Sequence, residues 1–228
     1  MLIGVPKEIK THEYRVGLVP ASVREFVDHG HEVMIEGSAG QGIGFSDEDY
    51  RAIGAAVVDT AEEVFAKADM IVKVKEPLPQ ECKMLREGQV LFTYLHLAAD
   101  PEQAKGLMES GAVAIAYETV TDDRGGLPLL APMSAVAGRM SIQAGAHYLE
   151  KEQGGAGVLL GGVPGVAAGK VAVLGAGVVG TEAARMAIGL GAQVTVLSRT
   201  TGRLRELDSL FGARINTVQS NAETVEQY

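Results

Sequence analysis

The chain has 228 residues, 46% of them hydrophobic, enough to bury a sizeable core as one large or two modest domains. Its formal charge of −9, with no dense Lys/Arg cluster to offset it, argues against a nucleic-acid or anionic-membrane surface and leaves any small anionic ligand to a local basic pocket. One cysteine, Cys82, excludes a disulfide framework and a cysteine-based metal site; the N-terminus has no secretory pattern and no apolar run is long enough to span a bilayer, so a reducing cytoplasm is expected.

Along the chain, short apolar strands alternate with helical stretches, which predicts an α/β architecture with mostly parallel sheets. Strands are expected near Leu2–Val5, His31–Glu36, Ala55–Val58, Met70–Lys75, Val90–Tyr94 and Val113–Tyr117. The helices between them carry start and stop signals. Pro20-Ala-Ser opens one that closes before Gly30, Ser46 precedes Asp-Glu-Asp, Thr60 precedes Ala-Glu-Glu, and Asp100-Pro101 opens one that Gly111 ends. Three polar residues fall at strand ends: Arg15 between the first strand and first helix, Lys75 before Glu76-Pro77, and His96 after Val-Leu-Phe-Thr-Tyr. Ligands of open α/β sheets collect beyond the carboxyl ends of strands, so these side chains can converge on an anionic substrate. A guanidinium suits a carboxylate, an ammonium polarises a carbonyl, and an imidazole exchanges a proton near neutral pH. Taken singly, each also reads as a solvated loop charge or a structural histidine, the reading given to His12, His29, His31 and His147.

An Ala-rich run from Met133 to Glu152 predicts a long bridging helix, followed by a Gly-rich loop from Gly154 to Gly169. The division expected is 1–132 and 133–228. The most informative stretch then begins at Lys170: a β-branched strand, Gly175, Gly177 and Gly180, and apolar residues at helical spacing. This is a dinucleotide-binding turn in form, in which Gly175 permits the tight bend, Gly177 close approach of a pyrophosphate, and Gly180 close helix–strand packing. A carboxylate expected at the end of the next strand is replaced by Ser198, followed by Arg199, Thr200 and Thr201. Without that carboxylate a 2′-phosphate meets no repulsion and Arg199 can bind it, which favours NADP over NAD. The alternative is that Arg199 points into solvent and NAD binds through other contacts. Strands at Lys170–Leu174, Gln193–Leu197 and Arg214–Val218 make one mononucleotide half, so the fold expected is two Rossmann-like domains, the second incomplete, with the third strand as an unprotected edge.

Five segments carry a resemblance over essentially the whole chain: Ile3-Gly-Val-Pro-Lys-Glu-Ile9 with Glu13-Tyr-Arg-Val-Gly-Leu-Val-Pro20, Gly37-Ser-Ala-Gly-Gln-Gly-Ile-Gly44, Val72-Lys-Val-Lys-Glu-Pro77, Tyr94-Leu-His-Leu-Ala98 and the glycine turn. Together they resemble the alanine dehydrogenase and pyridine nucleotide transhydrogenase family, and the Tyr94–Ala98 segment is similar to its dehydrogenase branch. The resemblance implies reversible oxidative deamination of L-alanine to pyruvate and ammonia with NAD or NADP. By the same resemblance Arg15 binds the substrate carboxylate, Lys75 contacts the pyruvate carbonyl oxygen, and His96 is the catalytic acid/base. Ser134, Val178, Val179, Ser198, Arg203 and Ser220 would line the cofactor. It further implies a homohexamer, and a second cofactor-binding half with a catalytic Asp beyond Tyr228. The other readings are a non-catalytic nucleotide-binding or assembly module and a transhydrogenase-like NAD-binding subunit.

Overall fold

Nine strands and nine helices alternate along a computed structural model that describes residues 1–228. They divide into two units, Met1–Leu129 and Leu130–Tyr228. The first contains β1 (Leu2–Val5), α1 (Pro20–Asp28), β2 (Glu32–Glu36), α2 (Asp47–Arg51), β3 (Ala56–Val58), α3 (Ala61–Lys67), β4 (Met70–Val72), α4 (Pro79–Cys82), β5 (Val90–Thr93), α5 (Pro101–Ser110) and β6 (Val113–Ala116). The second contains α6 (Ala131–Tyr148), β7 (Lys170–Leu174), α7 (Val178–Gly189), β8 (Gln193–Ser198), α8 (Thr201–Phe211), β9 (Ile215–Gln219) and α9 (Ala222–Glu226).

The helix boundaries follow local chemistry. Ser46 caps α2 with a reciprocal box to Asp49, Thr60 caps α3 through the Glu63 amide, and Asp100 caps α5 through the Gln103 amide. Gly111 ends α5 at φ +68, a left-handed position that glycine adopts without strain.

The first sheet is wholly parallel in the order β3-β2-β1-β4-β5-β6. Alternate residues of its central strands feed two cores. Val33 and Ile35 pack with Ile3, Val5, Val23 and Tyr50, while Met34 packs with Val64, Phe65, Ile71 and Leu91. Burial on both faces explains why these strands read as unbroken apolar runs. The strand order reverses between β1 and β4, and this switch point opens a crevice at the carboxyl edge of the sheet.

The second sheet is parallel in the order β7-β8-β9, so β9 is an edge strand as expected and β7 is the other edge. Its core joins Val173, Val194, Val196 and Ile215 to Ala183, Ala184 and Ala187 of α7 and Leu207 and Phe211 of α8. α6 packs on α7 at Gly138, where an added Cβ would collide with the Val179 carbonyl oxygen.

Two elements depart from expectation by more than one residue, while several strand ends shift by one. The long helix runs from Ala131 to Tyr148 rather than from Met133 to Glu152. Pro132 fits its first turn, and the chain reverses after Leu149, where Gly155 donates its N–H to the Glu150 carbonyl at 2.9 Å and Gly157 to Leu149 at 2.7 Å. β4 stops at Val72 rather than Lys75 because a side chain claims the next amides, as described below. No helix is long and apolar enough to cross a membrane.

Candidate active site and dinucleotide cradle

In the first unit the candidate residues lie where the sheet order reverses. Arg15 follows β1, Lys75 follows β4, and His96 follows the adjacent β5. Glycines settle the Arg15 loop: Gly17 lies against the Val72 carbonyl at the end of β4, and Gly42 against the backbone of Tyr14, leaving no room for a Cβ at either. The Gly37–Gly44 stretch thus has a mechanical role, seating the segment that carries Arg15.

Arg15 is held by its neighbour. Its Nε donates to Glu13 Oε1 at 2.8 Å, its Nη2 to Oε2 at 2.6 Å, and its backbone N to Oε1 at 2.9 Å. These bonds from Arg15 hold the Glu13 carboxyl below its usual range against the upward push of burial, with the Lys75 charge adding to the effect. Glu13 raises Arg15 in turn, and Tyr94 and Glu8 contribute. A cleft of about 300 Å³ is lined by Arg15 with Lys7, Glu8, Glu13, Ser38 and Gln41; Lys75 and His96 are not among its walls.

The β4 end is organised by a buried ion triad that no motif announces. Lys73, 1% exposed, places Nζ 2.6 Å from Glu81 Oε1 and 3.4 Å from Glu8 Oε2. The other Glu8 oxygen accepts the amides of Val74 at 2.6 Å and Lys75 at 3.2 Å, which takes those amides out of the strand ladder and ends β4. Lys75 is half-buried, and its ammonium makes no hydrogen bond or ion pair, whereas Lys10, Arg15 and Lys73 are each paired with a carboxylate. It is therefore the cation of this group whose charge is left for a ligand.

Lys75 and the β5 end are joined through the backbone. Tyr94 donates its N–H to the Val74 carbonyl at 3.3 Å, and Thr93 Oγ1 donates to the Lys75 carbonyl at 3.0 Å. The Tyr94 ring stacks on the His96 imidazole with centroids 6.0 Å apart and planes at 10°, while its hydroxyl donates to the Leu129 carbonyl. Burial pushes the Tyr94 phenol up, the Arg15 charge opposes this, and Glu118 reinforces it. His96 is exposed, with its backbone left-handed at φ +49. Tyr94 thus stacks on His96 and feels the Arg15 charge, while the Lys75 backbone is tied to Thr93.

In the second unit the glycine turn has the geometry its spacing predicts. Gly175 sits at φ +111, which only glycine adopts readily. An added Cβ on Gly180 would collide with the Gly175 carbonyl oxygen, whereas one on Gly177 meets no atom within 4 Å. The first glycine therefore serves the bend, the last serves packing, and the middle one keeps open the approach to the α7 N-terminus. No side chain caps that terminus, so its N–H groups and dipole remain available to a phosphate. A cleft of about 460 Å³ brings together Ser134, Gly175, Gly177, Val178, Val179 and Gly180. These residues fit a nicotinamide dinucleotide held by its pyrophosphate. Gly180→Ala is expected to weaken dinucleotide binding by about tenfold or more, since a shift of the turn costing ~1.4 kcal/mol suffices. Calorimetric titration checks this, and unchanged affinity would count against the cradle.

The remaining cofactor candidates lie around this turn but outside that cleft. Ser198 is buried; its Oγ accepts the Thr200 amide at 3.2 Å and its carbonyl accepts the Ser220 amide at 3.0 Å, tying the ends of β8 and β9 together. Arg203 donates Nε to the Ala176 carbonyl at 3.1 Å and pairs with Glu206, so it braces the turn from α8. Arg199 is exposed and makes no hydrogen bond or ion pair.

Residues 4–137 match the family described as alanine dehydrogenase/PNT, N-terminal domain, and residues 141–228 the corresponding C-terminal domain. The chain belongs to the alanine dehydrogenase/PNT family. Among its family relatives, the alanine dehydrogenase of Halomonas elongata is 57% identical over 227 residues, and that of Methanococcus maripaludis 56% identical over 222. These alignments cover 100% and 97% of this chain but 61% and 60% of the relatives. A solved L-alanine dehydrogenase superposes with a TM-score of 0.93 at 56% identity, covering 100% of this chain and 63% of its own. A transhydrogenase from Sinorhizobium meliloti gives 0.82 at 25% identity, covering 100% and 66%. The chain therefore spans about three fifths of the length of the alanine dehydrogenases of the family that it matches.

Proposed function

We propose that this chain contributes the substrate-binding face and the adenosine-side cradle of an L-alanine dehydrogenase. The reaction is reversible oxidative deamination of L-alanine to pyruvate and ammonia. What supports the reading is that Arg15, Lys75 and His96 follow β1, β4 and β5, three neighbouring strands at the switch point, in a chain more than 50% identical to alanine dehydrogenases. The much lower identity to the transhydrogenase favours the dehydrogenase branch.

In this reading Arg15 binds the substrate carboxylate and Lys75 faces the C2 oxygen, so that C2 is oriented for transfer. A nicotinamide held in the cradle would supply the hydride acceptor for Cα, and the substrate, having also given up one ammonium proton to solvent, would be left as an iminium. Water adds at C2 as His96 takes one of its protons; His96 passes that proton to nitrogen, and takes up the remaining O–H proton as the C–N bond breaks, the carbonyl forms and ammonia leaves. Lys75 stabilises the charge that develops on oxygen during these steps. Ser134, Val178, Val179, Ser198, Arg203 and Ser220 would surround the dinucleotide, with Gly175, Gly177 and Gly180 at its pyrophosphate. The protein would work in the cytoplasm as a homo-oligomer, a homohexamer by family analogy. Val136 and Met140, exposed on α6, are apolar surface that assembly would cover.

NADP is the preferred cofactor in this proposal, because β8 ends in Ser198 rather than a carboxylate and the Arg199 guanidinium is unengaged. NADPH should bind more tightly than NADH to the protein as encoded in full, and Arg199→Ala should remove about tenfold of NADPH affinity while leaving NADH unchanged. Tighter NADH binding would overturn the cofactor preference. Absence of pyruvate- and ammonia-dependent oxidation of either cofactor would overturn the proposed activity.

A further inference from the structure

We propose that Glu118 is a positioning residue that holds His96 in place for proton exchange; this rests on the acid/base reading of His96. His96 occupies the left-handed region at φ +49, ψ +37, where a β-carbon is crowded, so a neighbouring group must stabilise it. Glu118, from the turn that follows β6, meets both amides at this bend. The Leu95 N–H donates to Oε1 at 3.1 Å and Oε2 at 3.2 Å, and the His96 N–H donates to Oε1 at 2.6 Å. Two successive amides converging on one anion form a small cradle whose shape depends on the left-handed residue. His96 also opens the 3-10 turn Leu97–Ala99, its carbonyl accepting the Ala99 amide at 3.0 Å, so the bend is fixed on both sides.

The imidazole is bracketed as well. Tyr94 stacks on it, and its Nδ1 lies 4.0 Å from Glu118 Oε1, beyond hydrogen-bond reach, so Glu118 acts on the bend rather than on the ring nitrogen. Burial pushes the Glu118 carboxyl upward, but the amides of His96, Glu118 itself and Leu95 outweigh it and hold the carboxyl below its usual range. Glu118 is therefore an anion throughout the neutral range. It comes from the strand beside β5 and touches neither Arg15 nor Lys75 among the hydrogen bonds and ion pairs it makes.

The test is steady-state kinetics of pyruvate amination by the protein as encoded in full, wild type beside Glu118→Ala, Glu118→Gln and His96→Ala. Glu118→Ala should lower kcat by about tenfold to 10²-fold, the scale of a misplaced catalytic group, with KM for pyruvate within about threefold of wild type. Glu118→Gln keeps one acceptor oxygen and should recover part of the loss. Wild-type kcat in Glu118→Ala, beside an inactive His96→Ala, overturns the positioning role. Full turnover in His96→Ala instead overturns the acid/base reading on which it rests. Should Glu118→Ala fail to fold, Glu118→Gln decides: kcat reduced at unchanged KM supports the role, and wild-type kcat overturns it.

Discussion

Replacing His96 with alanine should lower kcat for pyruvate amination by about 10²-fold or more in the protein as encoded in full. The argument is geometric. His96 follows β5, the strand beside β4 at the switch point, with its backbone bent into a left-handed turn and its ring laid on Tyr94. No structural task in the core accounts for that cost, because the side chain is exposed. Alanine keeps the β-carbon and so leaves the left-handed strain in place, but the imidazole it removes is exposed, so folding and dinucleotide affinity are expected to survive the change. Lys75→Ala should show a comparable loss with a raised KM for pyruvate, since its ammonium is the cation not already matched by a carboxylate. Single-turnover and steady-state rates measured on both variants check this; near-wild-type turnover in either would remove that residue from the chemistry.

Lys73→Ala is expected to be the most destabilising single change in the first unit, lowering the unfolding free energy by about 3–5 kcal/mol. The substitution would strand Glu8 and Glu81, each 2% exposed at the side chain, as like charges facing one another without their shared ammonium. The damage would spread to the site, because Glu8 also orders the Val74 and Lys75 amides and Glu81 accepts the Leu78 amide at 2.8 Å. Replacing only Lys73 breaks the triad, whereas Lys73→Met combined with Glu8→Gln and Glu81→Gln removes all three charges and should recover part of the loss. Urea denaturation of the two forms measures the difference. A loss under ~1 kcal/mol in Lys73→Ala would mean that these charges are hydrated and that the triad contributes little.

Much of this is legible in the residues. Ser46, Thr60 and Asp100 announce helix starts because a capping hydroxyl or carboxylate satisfies amides three positions away, a local matter. The dinucleotide turn is legible for the same reason: bend, approach and packing are each assigned to one glycine within six residues. What is hidden depends on partners distant in the chain. Val72-Lys-Val-Lys reads as one strand continuing to Lys75, and only Glu8, 65 residues before Lys73, shows why it stops and why one lysine is buried while its neighbour two positions on is not. Glu118 lies 22 residues from His96 and has no motif of its own. Glu13 did have a signal, an acid two positions before Arg15, although an i,i+2 pair in a loop rarely marks a bidentate clasp.

The two ligand-facing surfaces differ in what selection can change. In the proposed reading the substrate is gripped around Arg15 and Lys75 by side chains, each open to exchange for another, so substrate preference could drift one residue at a time. At the proposed cradle the grip would be made of main chain: a substitution meets an unfavourable φ at Gly175, a clash at Gly180, and at Gly177 adds bulk where the nucleotide would come close. On that reading, descendants of this chain would acquire new acids to work on far more readily than they would abandon the dinucleotide.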